Sequence, residues 1–423
     1  MTFKALALAV VSASLVACGG DGNNGSSNKL PQASANLTPA MTENYADMAH
    51  AMYSDSLERA KELKTAVDAL VAAPDAPKFT AAKDAWLDAR VVYQQSEVFR
   101  FDEGLVDDWE GQLNAWPLDE GLIDYVDASY EGEAGNTYAE LNVVGVNDAS
   151  ITTAGGIQDS TATIDGDLLR NLQEVGGSEA NVATGYHAIE FLLWGQDLNG
   201  TAAGAGERAV ADYLSATNKD RRAAYLQNAV NLLISDLEDM VAQWADNGDR
   251  RDELMLQAEN DPKAVVSLVL TSLAKLSAGE LAGERMNTAL EANSTEDEHD
   301  CFSDNTHNSH YYNSVGLNNL LNGAYTTGDT PVSGGTSIYD VIAASNPEVA
   351  AAAKTAMENA LKEVNDIKFE ADKVDGMKFD QMIGENNAAG AAIVQGAIDS
   401  LTAAGDAFVE AAKALNITIT TDV

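Results

Sequence analysis

The sequence predicts an all-α protein. Apolar and small residues recur three and four positions apart through several long segments, and this spacing places them on one face of a helix. Strand-like alternation is scarce, with residues 141–146 and 417–421 as short candidates. The 423 residues are too many for one compact unit and few for three. We therefore expect two domains, each a bundle of packed helices.

The net charge excludes one class of partner. Lys and Arg total 25 against 66 Asp and Glu, which gives a formal charge of −41 at pH 7. Because that charge repels phosphate backbones, no nucleic-acid partner is expected. Two cysteines and a hydrophobic share of 45% are typical of an ordinary globular chain rather than a disordered or disulfide-rich one.

The first 17 residues are predicted to be the signal peptide of a lipoprotein. Lys4 is followed by an apolar run over residues 5–16, as in an export signal. Residues 15–18, Leu-Val-Ala-Cys, resemble a bacterial lipobox, in which the thiol of Cys18 is acylated and anchors the chain to a membrane. Glycine at position 19 is similar to the pattern of lipoproteins sent to the outer membrane, where the protein would face the periplasm or the surface. The alternative is a plain secretory signal with an incidental cysteine.

Residues 18–38 are predicted to form a flexible tether, because they are rich in Gly and Ser and contain few large apolar residues. The folded part is then expected from residue 39 onward. If Cys18 is acylated, Cys301 has no partner, and no intramolecular disulfide can form.

The N-terminal domain is predicted over residues 39–247. Its first helix follows from a stripe of apolar and small residues that continues towards Pro74. That stripe contains Tyr45, Ala49, Met52, Ser56, Ala60, Leu63, Val67 and Leu70. A second helix is expected over residues 79–101 and a third over residues 222–244, with an irregular block rich in Gly, Thr and Asn near 130–165 between them.

The C-terminal domain is predicted over residues 248–423. The pair Asp261-Pro262 predicts a capped helix start, and that helix is expected to continue towards Leu290. The pair Asn346-Pro347 predicts a second start of the same kind. The last helix is expected over residues 388–415, which are rich in alanine.

The sharpest local signal for function is the hexapeptide Gly-Tyr-His-Ala-Ile-Glu at residues 185–190. Thr184 or Gly185 is expected to cap a helix here, which places His187 and Glu190 one turn apart on one face. An imidazole and a carboxylate in that arrangement suit one metal ion, and a position in the first turn favours the neutral, ligating form of the histidine. The alternative is a structural histidine paired with a glutamate.

A polar stripe is predicted on the helix over residues 79–101. Arg90, Tyr93, Glu97 and Arg100 recur there at spacings of three and four. Arg90 and Arg100 are expected to hold Glu97 ionised by attraction of opposite charge, as a metal ligand or a partner in an anion site requires. The alternative is a surface ladder of ion pairs that adds little to stability.

A run rich in acidic residues and histidines covers residues 296–307, with His310 just beyond. Three of the five histidines lie within residues 299–310 among carboxylates, a set that suits hard or borderline metal ions. Cys301 is a further donor, and its acidic neighbours are expected to raise its pKa rather than activate it. The alternative is a solvated acidic loop with incidental histidines.

Several motifs of other enzyme classes are missing from the sequence. It contains no His-Glu-x-x-His motif, and Phe191 stands where an inverted His-x-x-Glu-His motif needs its second histidine. Neither a Gly-x-Ser-x-Gly elbow nor a phosphate-binding loop is present. Nucleotide chemistry and serine hydrolysis therefore have no support.

Five segments together resemble the imelysin family, and most closely its iron-regulated protein A branch. They are residues 86–90, 96–101, 114–120, 185–195 and 298–307, which occur in the family's order. The resemblance covers about residues 40–415. It implies two helical-bundle domains packed around a central cleft, with the Gly-x-His-x-x-Glu helix at that cleft.

The resemblance also implies candidate site residues. His187 and Glu190 match the signature, Glu97 and Arg100 match the polar helix, and Asp300, Asp304 and His307 match the acidic run. The candidate metal ligands are thus His187, Glu190, Glu97, Asp300, Asp304 and His307, and the candidate cofactor-binding residues are Arg90, Tyr93 and Arg100. Because family members are iron-regulated or associated with iron uptake, iron is the favoured metal and zinc the alternative.

Three functions are consistent with these patterns. The favoured one is an exported, lipid-anchored protein that binds iron or assists its uptake, with components of an iron-uptake system as partners and an acidic surface that concentrates cations. The first alternative is a metallopeptidase, since the family is also classed with insulin-cleaving metallopeptidases; a metal-bound water would be the nucleophile and Glu190 the base or a ligand. The second alternative is an envelope scaffold that binds a peptide or a protein.

Overall fold

The computed structural model describes residues 29–101, 105–145, 163–326 and 328–422. Within these ranges the chain is helical and has no strand, apart from one isolated bridge between Tyr325 and Val332. The all-α prediction is confirmed, and the strand candidates at 141–145 and 417–421 are turns or irregular backbone. The predicted signal peptide, Cys18 and most of the predicted tether lie outside the described residues.

We number the helices α1 to α16 in chain order. The first eight are α1 (Gln32–Ala72), α2 (Ala76–Ser96), α3 (Leu105–Leu113), α4 (Glu120–Ile123), α5 (Gly166–Leu172), α6 (Gly185–Trp194), α7 (Ala211–Leu214) and α8 (Lys219–Trp244). The others are α9 (Asp249–Asn260), α10 (Pro262–Ala274), α11 (Thr288–Ala292), α12 (Thr306–Asn322), α13 (Ile338–Ala343), α14 (Pro347–Ala371), α15 (Phe379–Ile383) and α16 (Ala388–Ala414). A 3-10 turn follows α2 at Glu97–Phe99, another lies at Val175–Gly177, and a π-helical stretch at Lys275–Asn287 joins α10 to α11.

Helix α1 begins at Gln32, so the tether that was predicted to reach residue 38 extends too far along the chain. Leu30, Ser34 and Thr38 are buried, and Ser34 Oγ donates to the carbonyl of Val341 at 2.7 Å. These contacts come from a segment about three hundred residues away. Composition alone does not reveal them, which is why the boundary was misplaced.

The N-terminal group of helices is built on α1. Helix α1 packs along α2 and α8, and α6 contacts both α2 and α8. Every residue of the stripe predicted on α1 is buried, as the 3.6-residue period requires of a core face. The indole nitrogen of Trp86 on α2 donates to the carbonyl of Tyr186 at 3.0 Å, which fixes the start of α6 against α2.

The C-terminal group is built on α14 and α16, which pack along each other. Helix α16 also packs on α10 and on the π-helical stretch. The predicted caps are confirmed: Asp261 accepts from the amide of Ala264 and Asn346 from that of Val349, each at 3.2 Å. Helix α12 packs against both α14 and α2, so it connects the two groups.

The helix predicted from Pro262 towards Leu290 changes type along its length. From Lys275 to Asn287 its backbone is π-helical, a conformation that is rare and concentrates at functional sites. This stretch carries the buried side chains of Glu280 and Arg285. Among the described residues, Pro262–Ala292 is the one helix long and apolar enough to cross a membrane, but 61% of its most apolar window is buried, as in a core helix.

Candidate metal site

Helix α6 places His187 in its first turn and Glu190 one turn later, as predicted. Its N-cap is Thr184, whose hydroxyl donates to the carbonyl of Gln112 at 2.8 Å rather than accepting from a helix amide. His187 Nδ1 lies 3.0 Å from Glu190 Oε2. Glu190 Oε1 accepts from the amide and the hydroxyl of Ser303, at 2.9 and 2.7 Å. The two side chains therefore share one face and meet the loop before α12.

His299 and Asp300, from that loop, complete a cluster with His187. Asp300 Oδ1 lies 4.0 Å from His187 Nδ1 and 3.9 Å from His299 Nδ1. One donor atom from each of the three residues lies within 4.8 Å of the others. Donors that share one ion at about 2.1 Å are at most about 4.2 Å apart, so the three residues would have to approach one another slightly to hold one ion. We refer to His187, Glu190, His299 and Asp300 as the histidine cluster.

The histidines of this cluster are held in their neutral form. His187 is 2% exposed and His299 is 1% exposed. Burial and the charge of Arg90 lower the pKa of His187 to about 3, and burial and the charge of Arg285 lower the pKa of His299 well below its usual value. Within the described chain His187 Nε2 and His299 Nδ1 have no hydrogen-bond partner. A neutral imidazole with a free nitrogen is the form that ligates metals.

The two carboxylates of the histidine cluster, Glu190 and Asp300, differ in the direction of their pKa shifts. Burial and the charge of Asp300 raise the pKa of Glu190 well above its usual value. Burial also opposes ionisation of Asp300, but the guanidinium of Arg90 at 2.8 Å and hydrogen bonds from Asn305 and Ser309 hold its pKa below the usual value. Asp300 is therefore ionised, whereas Glu190 stays protonated unless a further positive charge lies close to it.

Asn114 connects the histidine cluster to a buried ionic network. Its Nδ2 donates to Glu97 Oε1 at 2.8 Å and lies 3.4 Å from His299 Nε2, and its Oδ1 accepts from Arg90. Glu97 Oε2 in turn lies 2.8 Å from Arg285 on the π-helical stretch. These residues position the cluster and do not belong to its donor set.

The structure gives Glu97 a closer partner than the two predicted arginines, Arg90 and Arg100, whose charges still favour its ionised form. Arg90 pairs with Asp300 and Arg100 with Glu280 at 2.9 Å, whereas Glu97 pairs with Arg285. Burial raises the pKa of Glu97, and the charges of Arg285, Arg100 and Arg90 oppose that rise. Arg90, Tyr93 and Glu97 are buried and the side chain of Arg100 is 18% exposed, so the polar stripe is not a surface ladder. Sequence spacing could not identify Arg285, because it lies on a different helix.

Three other candidates lie apart from the histidine cluster. The ring of Tyr93 is buried and packs on Tyr186, with centroids 4.7 Å apart. His307 Nε2 lies 3.5 Å from Asp372 Oδ1. Burial and the charge of Asp197 raise the pKa of Asp304 to about 6. From the acidic run, His299 and Asp300 therefore reach the cluster, and His299 was missing from the candidate ligands although the histidine-rich run pointed to it.

The thiol of Cys301 has a raised pKa, as expected from the acidic residues around it. Burial raises the pKa of its thiol well above the usual value, and the charges of Glu190 and Glu296 raise it further. Cys301 is a free cysteine in the described chain. A thiol with a raised pKa is a poor nucleophile and a poor metal ligand at neutral pH.

The histidine cluster does not open onto a wide cleft, which differs from the expected arrangement. A cavity lined by Trp116, Leu118, His187 and His299 has a volume of about 10 Å³, enough for about one water-sized species. Outside it lies a cavity of about 440 Å³ with many acidic residues in its wall. The two cavities share Pro117, Leu118 and Glu296, so these residues separate the cluster from the larger cavity.

His310 lies near the cluster and gives a prediction about pH. Both of its ring nitrogens lack a hydrogen-bond partner in the described chain, and burial, with the charge of Arg285, lowers its pKa to about 3. The unfolded value is about 6.5, so between about pH 3 and 6.5 the unfolded chain binds one more proton here and stability rises with pH. We expect His310→Gln to lower that slope by roughly 1.4 kcal/mol per pH unit near pH 5.

Denaturant unfolding at pH 5.0, 5.5 and 6.0 measures this slope. The matched control is His50→Gln, which removes a half-buried histidine of α1 that lies outside the cluster. Equal slopes in the two variants would contradict the prediction.

The fold and this cluster define a class: an all-helical protein in which two distant segments bring two histidines and two carboxylates together in the interior. The chain belongs to the imelysin family, because the family model described as Imelysin (Peptidase_M75) matches residues 49–407. The resemblance stated from the five sequence segments is therefore confirmed.

Two solved structures are similar in fold. One is described as a candidate iron-regulated protein A precursor from Parabacteroides distasonis; its TM-score is 0.62 at 18% identity, covering 90% of this chain and 97% of that one. The other is an imelysin-like protein from Psychrobacter arcticum, with a TM-score of 0.60 at 15% identity, covering 93% of this chain and 99% of that one. No curated protein matches this chain.

Proposed function

We propose that this protein binds a metal ion at the histidine cluster, with iron as the favoured metal and iron acquisition as its role. The observation that carries the proposal is the spacing of His187, His299 and Asp300, whose donor atoms lie within 4.8 Å of one another. Two neutral imidazoles and one carboxylate are a donor set that iron(II) uses in other proteins, and zinc is the alternative metal. Glu190 is the nearest candidate for a fourth donor.

The charges around the cluster favour a cation. Two buried arginines, Arg90 and Arg285, and the partly exposed Arg100 face five acidic side chains in this network, which are Glu97, Glu110, Glu190, Glu280 and Asp300. Once Glu190 has lost its proton, the acidic side chains exceed the arginines by two, which matches the charge of a divalent ion. Since burial raises the pKa of Glu190, a cation at the cluster would replace its proton, and we expect binding to release protons.

The acidic cavity supports a route for cations. Its wall includes Asp119, Glu120, Asp197 and Glu296, and acidic clefts with low-dielectric walls concentrate counter-ions. Burial and, after it, the charge of Glu296 raise the pKa of Glu120 to about 8, and a cation nearby would favour its ionised form. Because this cavity borders the small cavity at His187 and His299, it supports capture of an ion before transfer inward.

Three further points concern the identity of the metal, the alternative activity and the location of the protein. The family and the likeness to a candidate iron-regulated protein A precursor support iron rather than another metal. The metallopeptidase alternative gains no support from the geometry, since a cavity of about 10 Å³ beside His187 has no room for a peptide.

We also propose that Cys18 carries a lipid that anchors the protein in the cell envelope, where uptake components would be its partners.

Titration with iron(II) without oxygen, on protein stripped with chelator, tests the metal proposal. We expect one ion per histidine cluster in the unmodified protein, with release of protons into a weak buffer. In His187→Gln and in His299→Gln, affinity should fall by at least about 100-fold, because each variant removes one donor of the cluster. The His299 variant is the sharper test, since this residue enters the site from the second segment.

His50→Gln is the control, because it removes a histidine that lies on α1 and outside the cluster. Circular dichroism checks that every variant is folded. Unchanged iron stoichiometry and affinity in a folded His187→Ala/Glu190→Ala double variant would rule the site out.

A further inference from the structure

A short segment that we call the strap, residues 115–118, covers the histidine cluster on the side of the acidic cavity. Trp116 and Leu118 of the strap line the small cavity together with His187 and His299. The rings of Trp116 and His299 meet edge to face, with centroids 5.0 Å apart. Leu118 also lines the acidic cavity and is 9% exposed. The strap therefore forms part of the wall between the cluster and that cavity.

The backbone of the strap is fixed at its two ends and not between them. The amide of Asn114, just before the strap, donates to the carbonyl of Glu110 at 2.9 Å. The amide of Asp119, just after it, donates to the carbonyl of Ala180 at 2.8 Å. Among the described residues, no backbone amide or carbonyl of residues 115–118 forms a hydrogen bond with the protein. Because such a segment opens at a lower cost in free energy than a helix does, the strap can move while its ends stay in place.

An ion cannot reach the histidine cluster unless the wall opens. The small cavity holds about one water-sized species, whereas a divalent ion in solution carries several bound water molecules. Pro117, Leu118 and Glu296 line both cavities, and the first two of them belong to the strap. Movement of the strap would therefore join the two cavities into one path.

We propose that the strap is the gate of the histidine cluster, and that Trp116 and Leu118 move aside together to let an ion pass and then return over it. This inference rests on the proposed metal site and adds how that site is loaded and emptied. Neither side chain has a donor atom that suits a metal ion. The gate therefore sets the rates at which an ion enters and leaves, and it has little effect on the affinity of the cluster.

Modification of metal-free protein by diethyl pyrocarbonate, measured at each histidine by mass spectrometry, tests the gate without any ion. The reagent acylates neutral imidazoles and is too large for the closed cavity, so His187 and His299 react when the strap is open. In Leu118→Ala we expect both histidines to react at least about 10-fold faster, because a smaller side chain weakens the closed state. If Leu118→Ala does not fold, Trp116→Ala makes the same test.

Two controls separate movement of the strap from wider unfolding. His310 is fully buried but does not line the small cavity, so its rate of modification should be the same in Leu118→Ala as in the unmodified protein. Leu198→Ala is the matched variant, because Leu198 lines the acidic cavity, is 68% exposed and lies outside the strap. It should leave the rates at His187 and His299 unchanged.

Release of iron(II) to excess ferrozine, without oxygen, then tests the effect on the ion. We expect release from Leu118→Ala to be at least about 10-fold faster, with the dissociation constant within about threefold of that of the unmodified protein.

Equal modification of His299 in Leu118→Ala and in the unmodified protein, or an equal increase at His310, would overturn the gate even if iron binds. Faster modification confined to His187 and His299 supports it. If the unmodified protein then bound no iron, that result would count against the metal site alone.

Discussion

Replacing Arg285 by methionine is expected to lower the free energy of unfolding by about 3–5 kcal/mol. Arg285 is fully buried on the π-helical stretch and lies 2.8 Å from Glu97 Oε2 and 3.0 Å from Glu280 Oε2. Removing a buried charge strands its partners in a low-dielectric interior, and that cost exceeds the loss of the pair itself. Glu97 would lose its closest cation, whereas Glu280 would keep Arg100, which lies 2.9 Å away.

Denaturant unfolding against Arg59→Met measures this effect. Arg59 also forms two ion pairs, with Glu62 and Asp329, but its side chain is 28% exposed, so we expect a loss of at most about 1 kcal/mol. Adding Glu97→Gln to Arg285→Met should recover part of the loss, because the stranded charge is removed. A loss in Arg285→Met no larger than that in Arg59→Met would show that the buried network does not stabilise the fold.

Gly185→Ala is expected to cost about 3 kcal/mol, from two effects that add. Gly185 has φ of +81°, a conformation in which any L-residue is strained. A Cβ at this position would lie 2.3 Å from the carbonyl oxygen of Leu113 and 2.6 Å from its carbon, both backbone atoms that cannot turn aside. Glycine is thus required at the first position of the hexapeptide, because α6 approaches the end of α3 closely there.

Gly177→Ala separates the two effects. Gly177 has the same φ of +81°, but a Cβ there would meet no atom within 4 Å. We therefore expect about 1 kcal/mol for that variant, from backbone strain alone. Thermal or denaturant unfolding of both variants measures the difference, and equal losses would show that the backbone contact at Leu113 is relieved at little cost.

Much of the fold could be predicted because its signals are local. The stripe on α1 and the caps Asp261 and Asn346 depend on residues close in sequence, and the structure places all of them as expected. The start of α1, in contrast, depends on packing against a distant segment. Ser34, for example, is fixed by the carbonyl of Val341. Such contacts leave no periodic pattern in the sequence.

The candidate site shows the same division. The pairing of His187 with Glu190 is a consequence of helical spacing, and it was predicted. That His299 would join them depends on how α12 packs against α2, and that Glu97 would pair with Arg285 depends on where the π-helical stretch places this arginine. The expected open cleft was also a statement about packing, and at the cluster the packing is closed.

The histidine cluster is divided between two segments, so the hexapeptide alone does not identify a complete metal site in another chain. A fragment that ended after α8 would retain Gly185, His187 and Glu190 and would still lack both His299 and Asp300. A chain that contains the Gly-x-His-x-x-Glu signature is therefore related to this family, but it need not contain all the metal donors of the histidine cluster. A genome survey that also requires the downstream dipeptide His299-Asp300 would better separate chains with a complete set of donors from chains that have lost part of it.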